Sequence, residues 1–321
     1  MRYKDILVTI IVPVYNVANK MEKCIQSLLG QDYSNIEIIF IDDGSKDGSG
    51  SILDKIHDSR VKVYHKDNSG VSSARNLGLE KMDKHGYVLF VDSDDYIDEN
   101  YISKMLEASS DNRGCLIGCR FIKEDIFGKR IGEKEELIKY TDKYSAILSD
   151  KYCGGYVWNK VFDKNIILEH NLKFDTTISY AEDLLFVLEY LKYVENVVVI
   201  KDEIYHYVMY KDSVTNRGFD EQNIKSLLKA LKIAYSMIPD KYATASQMAY
   251  NKLFNMKIYY WILMYKAGIY KKPDKVFKST IVQMRKNGAE FDTVKHKVYY
   301  YCLQYASNIL FKILCIDLKK K

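Results

Sequence analysis

Three short β-rich runs constrain this chain more than any other feature: Val8 to Val14, Ile36 to Ile41, and the unbroken apolar Tyr87-Val88-Leu89-Phe90-Val91. Each is too short for a buried helix, is rich in β-branched or aromatic residues, and lacks the polar alternation of a strand with one wet face. Such runs suit strands covered on both sides, which occur where helices flank a sheet. The intervening segments agree. Apolar positions recur at helical spacing over Val17 to Leu29, Ser51 to Ile56 and Ser72 to Lys84, and Val61 to His65 reads as a further short strand. Strands alternating with helices predict βαβ units and a doubly wound α/β sheet.

In such sheets ligands lie outside the carboxyl ends of the strands. Three loops are thereby singled out: Pro13 to Asn16, Asp42 to Gly50, and Asp92 to Asp98. The last follows an apolar strand and carries Asp92, Asp94, Asp95 and Asp98, the fourth expected to belong to the next helix. In the middle loop, Asp43, Ser45, Asp47, Gly48 and Asp54 approach the spacing of an EF-hand, but the final position is Asp where a bidentate Glu is usual. The loop matches neither GxxxxGK[ST] nor GxGxxG. Asp47 or Ser49 is expected to cap the following helix, which leaves Asp42 and Asp43 unexplained. A receiver-like phosphoacceptor domain also gathers aspartates at strand ends, yet the strand ending near His65 leads only into KDNSG and its spacing fits poorly.

With 321 residues, 47% hydrophobic and 28% charged, the chain has ordinary globular composition. The N-terminal apolar run is interrupted by Pro13 and has no small-residue cleavage site after it, so a strand is expected there, not a signal peptide. A cytoplasmic, reducing setting follows, and Cys24, Cys115, Cys119, Cys153, Cys302 and Cys315, which form no CxxC pair, are read as free thiols. Cys115 and Cys119 fit small core positions better than metal ligands. The net charge of +5 hides an asymmetry: about 13 Lys/Arg against 18 Asp/Glu in residues 1–110, and about 19 against 7 in residues 220–321. The basic residues of the tail alternate with Tyr, Ile, Leu and Phe, which suits an anionic membrane surface and not nucleic acid. Its helix-period segments are expected to pack on each other or on a second subunit as a homodimer, or to lie in a membrane interface. Gln304, Asn308 and Lys312 form a narrow polar stripe there, and Lys312 and Asp317 interrupt what would otherwise approach a membrane span.

The ordered runs TIIVPVYN, IQSLLGQDYSNIEIIFIDDGSKDGS, NSGVSSARNLGLE and YVLFVDSDD resemble the family-2 glycosyltransferases of the GT-A fold, and GGYVWNKVF and SYAEDLLFVLEYL are similar to acceptor-side motifs of bacterial polysaccharide and surface-glycan members. The resemblance reaches to about residue 215. It implies a Rossmann-like mixed sheet flanked by helices over 1–217, with 1–110 binding a nucleotide sugar and 111–217 facing the acceptor, and a mostly helical C-terminal region over 218–321. It also implies inverting transfer from a UDP-sugar to a glycan, lipid-linked or protein-linked acceptor, at the inner face of the cell membrane. A non-catalytic nucleotide-sugar or glycan-binding module on the same fold is the competing reading.

By that resemblance Pro13, Val14 and Tyr15 wall the nucleobase, and Asp43 accepts its imide proton while Asp42 orients the loop. Arg75 contacts base or phosphate, with Asn76 and Gly78 as loop and helix-packing positions. Asp92-Ser93-Asp94 is the DxD motif, Asp94 and Asp92 holding Mn2+ or Mg2+ with Asp92 also near the donor, and Asp95 auxiliary. Asp183 of AEDLLF is the base, with Ala181 where many relatives have Gly. Glu182, Trp158, Asn159 and Lys160 line the acceptor side, and His206 touches metal or diphosphate, with Lys211 and Ser213 weaker candidates. Plainer readings stand beside these: packing for Tyr15, Trp158 and His206, a surface ion pair for Arg75, and first-turn acids favoured by the helix dipole for Glu182 and Asp183.

Overall fold

A computed structural model describes residues 6–112, 114–132, 140, 142–150, 153–210, 221–266 and 275–305. Two compact units divide the chain, Met1–Arg217 and Gly218–Lys321. Lys211, Ser213, Asn308, Lys312, Asp317 and Cys315, and the side chains of Gln304 and Cys302, lie outside the described residues.

The strands of the first unit are β1 (Val8–Val14), β2 (Ile36–Asp42), β3 (Val61–His65), β4 (Tyr87–Phe90), β5 (Tyr96–Ile97), β6 (Leu116–Glu124), β7 (Lys160–Asp163) and β8 (Val197–Val208). They form one sheet in the order β3-β2-β1-β4-β7-β6-β8-β5. The first four run parallel to one another, as the alternating pattern predicts. β7 then enters antiparallel to both β4 and β6, so the sheet is mixed. Every residue of β1 and β2 is buried. The helices are α1 (Glu22–Leu29), α2 (Ser49–Leu53), α3 (Val71–Lys81), α4 (Tyr101–Asp111), α5 (Lys143–Leu148), α6 (Lys164–Glu169) and α7 (Glu182–Tyr190).

Pro13 sits inside a central strand, where its missing N–H should break a ladder. The Val91 N–H donates to Ile11 O (3.1 Å), so Ile11 faces β4, whereas the Asp43 N–H donates to Val14 O (2.9 Å), so Val14 faces β2. Pro13, two residues after Ile11, therefore turns its nitrogen toward β4 just beyond the last paired residue, Phe90. No partner is lost, and the proline marks where β1 and β4 part.

Helix starts differ from the periodicity because loop ties claim the backbone first. Residues 17–21 form a turn instead of helix: the Val17 N–H donates to Ser49 Oγ (2.9 Å) and the Ala18 N–H to Asp47 Oδ2 (2.9 Å). The N-cap of α2 is Gly48 with no side-chain cap, contrary to the expectation for Asp47 or Ser49. Asp47 instead accepts the Ser49 N–H (3.0 Å) and stitches the two loops together. Asp98 precedes α4 and does not belong to it.

The second unit contains α8 (Glu221–Met237), α9 (Ala243–Lys266), α10 (Lys275–Lys286) and α11 (Val294–Tyr305). Phe254, Ile258, Trp261 and Ile262 of α9 are buried. Asn251 Oδ1 accepts the Glu290 N–H and the Asn255 amide donates to Glu290 O, both at 2.8 Å, which pins the loop between α10 and α11 onto α9. Among the described residues no helix is long and apolar enough to cross a membrane.

Gly78 lets α3 press onto β1, because a Cβ there would lie 2.4 Å from Ile11 Cγ2. Ile11 is β-branched and fully buried, so it cannot swing away. Gly78→Ala is expected to destabilise the protein by roughly 1–3 kcal/mol, read from urea denaturation.

Candidate active site

The sheet order places β2 and β3 on one side of β1 and β4 on the other. The crevice between the carboxyl ends of β1 and β4 is thus the topological switch point where α/β sheets bind ligands. Three loops frame it. After β1, Tyr15 is 49% exposed while Pro13 and Val14 are buried. Of the three residues expected to wall a nucleobase, only Tyr15 therefore offers a side chain to solvent. Asn16 takes a left-handed φ of 52°, its N–H donates to Ser45 Oγ (3.0 Å), and its amide oxygen accepts the Lys46 N–H (2.8 Å).

After β2 the two aspartates have separate tasks. Asp42 accepts the Ser45 N–H (3.0 Å) and pairs with His65 Nδ1 (2.9 Å), whose Nε2 meets Asp54 (3.0 Å). Asp43 is 3% exposed, and its oxygens accept the N–H groups of Ser69 (3.0 Å) and Gly70 (2.8 Å) and the Lys66 ammonium. It gathers the 66–70 loop around the crevice, a function that the sequence pattern did not reveal.

Beyond β4, Asp92 and Asp94 are partly exposed, whereas Ser93 and Asp95 are buried. Asp95 Oδ2 accepts the Tyr205 hydroxyl (2.8 Å) and Oδ1 the Val208 N–H (2.8 Å), so it anchors the turn to β8 and does not face the crevice. Burial first, then the charges of Asp94 and Asp92, push its carboxyl well above the usual range. The buried Cys24 thiol is raised by burial and by the same carboxylates. A surplus of negative potential with oxygen donors from Asp92 and Asp94 fits a hard divalent cation. Among the described residues no group of three or more metal-ligating side chains converges, so these two carboxylates would need ligands from a bound substrate or water.

Arg75, on the buried face of α3, joins the halves of the site. One guanidinium nitrogen donates to Asp92 Oδ1 (3.0 Å) and another to Glu182 Oε1 (2.8 Å), 107 residues away in sequence. Its carbon lies 5.4 Å from the Phe174 ring centroid, and Nε has no hydrogen-bond partner among the described residues. Burial opposes its charge, but Asp92, Glu182 and Asp183 outweigh that and raise its pKa. The surface ion pair is thus excluded, and Arg75 is a buried bridge.

Glu182 and Asp183 open α7, with Ala181 before them at φ 63° and ψ 29°. That left-handed conformation strains a residue with a Cβ, which is the physical reason glycine suits the position. Burial pushes the Asp183 carboxyl up to about 7, Glu182 adding to the rise and Arg75 opposing it.

Four expected site residues are placed elsewhere. Lys160 is fully buried, its ammonium donating to the carbonyls of Cys153 (3.4 Å), Gly154 (2.8 Å) and Tyr156 (2.6 Å) and to Asn159 Oδ1 (2.8 Å), so it braces a loop and does not reach for an acceptor. Asn159 turns its amide to the Cys119 and Cys153 carbonyls. Trp158 is 5% exposed within an aromatic stack, which is the packing alternative. Both ring nitrogens of His206 are engaged, Nδ1 with Glu124 (3.0 Å) and Nε2 with Asp98 (2.9 Å), and its ring stacks on Tyr96, so both nitrogens face carboxylates of the fold and not the crevice. Asn76, expected only as a loop position, ties the site's parts together. Its side chain makes two hydrogen bonds to the Phe174 backbone, and its place one residue after Arg75 was the available signal.

A Glycosyl transferase family 2 model matches residues 9–169, about half the chain. The chain belongs to this family. The family-2 chain is 34% identical over 221 residues to EpsJ of Bacillus subtilis, an uncharacterized glycosyltransferase, covering 65% of this chain and 63% of that relative's length. It is 29% identical over 277 residues to TarP of Staphylococcus aureus, a poly(ribitol-phosphate) beta-N-acetylglucosaminyltransferase, covering 84% and 75%. The fold is similar to that of S. aureus TarS 1-349, crystallised with UDP-GlcNAc, at a TM-score of 0.69 and 17% identity over 98% of this chain and 91% of TarS 1-349.

Asp183 keeps its proton in the folded state over a pH range where the unfolded chain has lost it, so its burial destabilises the protein increasingly from about pH 4 to about pH 7. Asp183→Asn should match the parent near pH 4 and exceed it at pH 8 by on the order of 1–3 kcal/mol in urea titrations. Lys160→Met should cost roughly 2–4 kcal/mol by leaving buried oxygens without a donor, detected as a lowered melting temperature.

Proposed function

We propose that the chain is an inverting glycosyltransferase that moves a sugar from a UDP-sugar to a glycan, lipid-linked or protein-linked acceptor in bacterial surface-polysaccharide or glycoconjugate assembly. The observation that carries this reading is the buried Arg75 bridge, which holds the partly exposed Asp92 of the strand-end turn together with Glu182, next to the raised carboxyl of Asp183. Residues 1–110 are assigned to the nucleotide sugar, 111–217 to the acceptor side and 218–321 to a helical extension.

Tyr15 supplies an open aromatic face for a nucleobase, and the Asp43 carboxylate beside the 66–70 loop is assigned to its imide N–H. Arg75 is assigned to orienting Asp92 toward the donor and adding positive potential for a diphosphate. Mn2+ or Mg2+ held by Asp94 and Asp92 would supply charge neutralisation for the departing nucleoside diphosphate. Asp183 accepts the proton of the acceptor hydroxyl, and a carboxyl near pH 7 suits that task, being ionised often enough yet basic enough. The acceptor oxygen then attacks the anomeric carbon from the face opposite the leaving group, and one base suffices without a covalent sugar intermediate. Glu182 keeps Arg75 paired throughout. The basic excess of residues 220–321 supports peripheral contact with an anionic membrane, on the inner face of the cell membrane.

The test is thermal stabilisation and slow donor hydrolysis across a panel of nucleotide sugars with Mn2+ or Mg2+. UDP and at least one UDP-sugar should stabilise the protein, and failure of all of them would end this reading. Asp94→Ala should weaken metal-dependent UDP binding by at least about 10-fold. Asp183→Asn should abolish transfer with UDP affinity nearly unchanged; loss of UDP binding instead would show that the base is misassigned.

A further inference from the structure

A stack of aromatic side chains ends at the turn after β4. Tyr156 stacks on Trp158 (centroids 4.8 Å apart, planes 16°), and Trp158 stacks on Tyr205 (4.4 Å, 23°). Phe121 meets the Trp158 ring edge-on at 4.8 Å and locks it in place. At one end, the fully buried Tyr205 hydroxyl donates to Asp95 Oδ2 (2.8 Å) and accepts the Asp92 N–H (3.3 Å). At the other, the Tyr156 carbonyl is held by the Lys160 ammonium (2.6 Å), and neighbouring Gly155 packs so closely that a Cβ would lie 2.5 Å from Leu184 Cδ1, one residue after Asp183.

Asp94 lies between the two residues that Tyr205 grips. Asp95 is further tied by the Val208 N–H and by donating its own N–H to Asp92 O (3.1 Å). The turn is thus held on both sides of Asp94. Without the hydroxyl, one buried carboxylate oxygen and one partly buried backbone N–H would lose a partner, and the turn would move to recover it.

We propose that Tyr205 is a positioning residue: its hydroxyl sets the Asp92–Asp94 turn for binding a divalent cation with a nucleoside diphosphate, and the Trp158 stack registers that turn against the loop beside Asp183. The inference rests on the donor site proposed above. Outer groups that orient metal-binding carboxylates characteristically alter affinity without touching the ion.

Tyr205→Phe removes the hydroxyl and keeps the ring. Tyr101→Phe is the control, since Tyr101 is equally buried in the same core but donates to the Trp158 carbonyl (3.0 Å) and not to the turn. Two measurements are made on each full-length protein: hydrogen exchange of the peptide covering 91–98 without ligand, and calorimetric UDP affinity in Mn2+. Tyr205→Phe should exchange faster at 91–98 and bind UDP with Mn2+ about 10–100-fold more weakly. Tyr101→Phe should do neither, even where both lower the melting temperature alike. Parental exchange or parental affinity in Tyr205→Phe overturns the proposal, as does an equal loss in both variants. If the parent itself fails to bind UDP with Mn2+ or Mg2+, the donor reading falls, and the exchange comparison still decides whether Tyr205 holds the turn.

Discussion

The buried guanidinium of Arg75 between Asp92 and Glu182 is the interaction on which the candidate site depends. Asp92 follows a parallel strand and Glu182 opens a helix, and the intervening chain contributes to the antiparallel part of the sheet. A cation buried with two carboxylates is a costly arrangement that persists when its partners are well placed. Here the placement comes from α3, which Gly78 allows to lie directly on β1, and from the Asn76 amide, which grips the Phe174 backbone on the way to α7. The helix, the strand-end turn and the acid pair therefore define one another. The same charge also moderates the rise of the Asp183 carboxyl that Glu182 and burial produce.

Around that bridge, polar residues divide into those that face the crevice and those that build it. Asp42, Asp47 and Asp95 spend their oxygens on backbone N–H groups, a histidine and a tyrosine, and so shape the loops. Lys160 does the same for the backbone carbonyls at 153, 154 and 156. Such loops carry many backbone groups that no ladder can satisfy, and buried side chains supply the missing partners. A charged residue in a motif is thus as apt to be a brace as a ligand.

The parallel half of the fold was legible because β1, β2 and β4 are short, β-rich and largely apolar, and nothing competes with that pattern. β7 was not: Lys160-Val161-Phe162-Asp163 offers four residues of mixed character, and its antiparallel entry is decided by long-range pairing. In the site, the family pattern pointed to Asp92, Asp94 and Asp183, and the structure brings Asp92 and the Glu182–Asp183 pair together at Arg75. It erred in kind for Trp158, Lys160 and His206, whose residue types suit sugar or metal contact but whose environments are closed. Tyr205 carried no signal, since a tyrosine among tyrosines in a strand shows its hydroxyl's partner only after the sheet is assembled.

By itself the sequence determined that β-rich runs alternate with helices, that acids collect at strand ends, and that the chain resembles one transferase family, because these properties are local or follow from ordered motifs. Only the tertiary structure decided which acids keep an open face and which are consumed as braces. Burial and hydrogen-bond satisfaction depend on neighbours more than a hundred residues away, as Arg75 with Glu182 and Tyr205 with Asp95 demonstrate. The chemistry of a carboxylate is fixed by what surrounds it, and the surroundings exist only once the chain has folded.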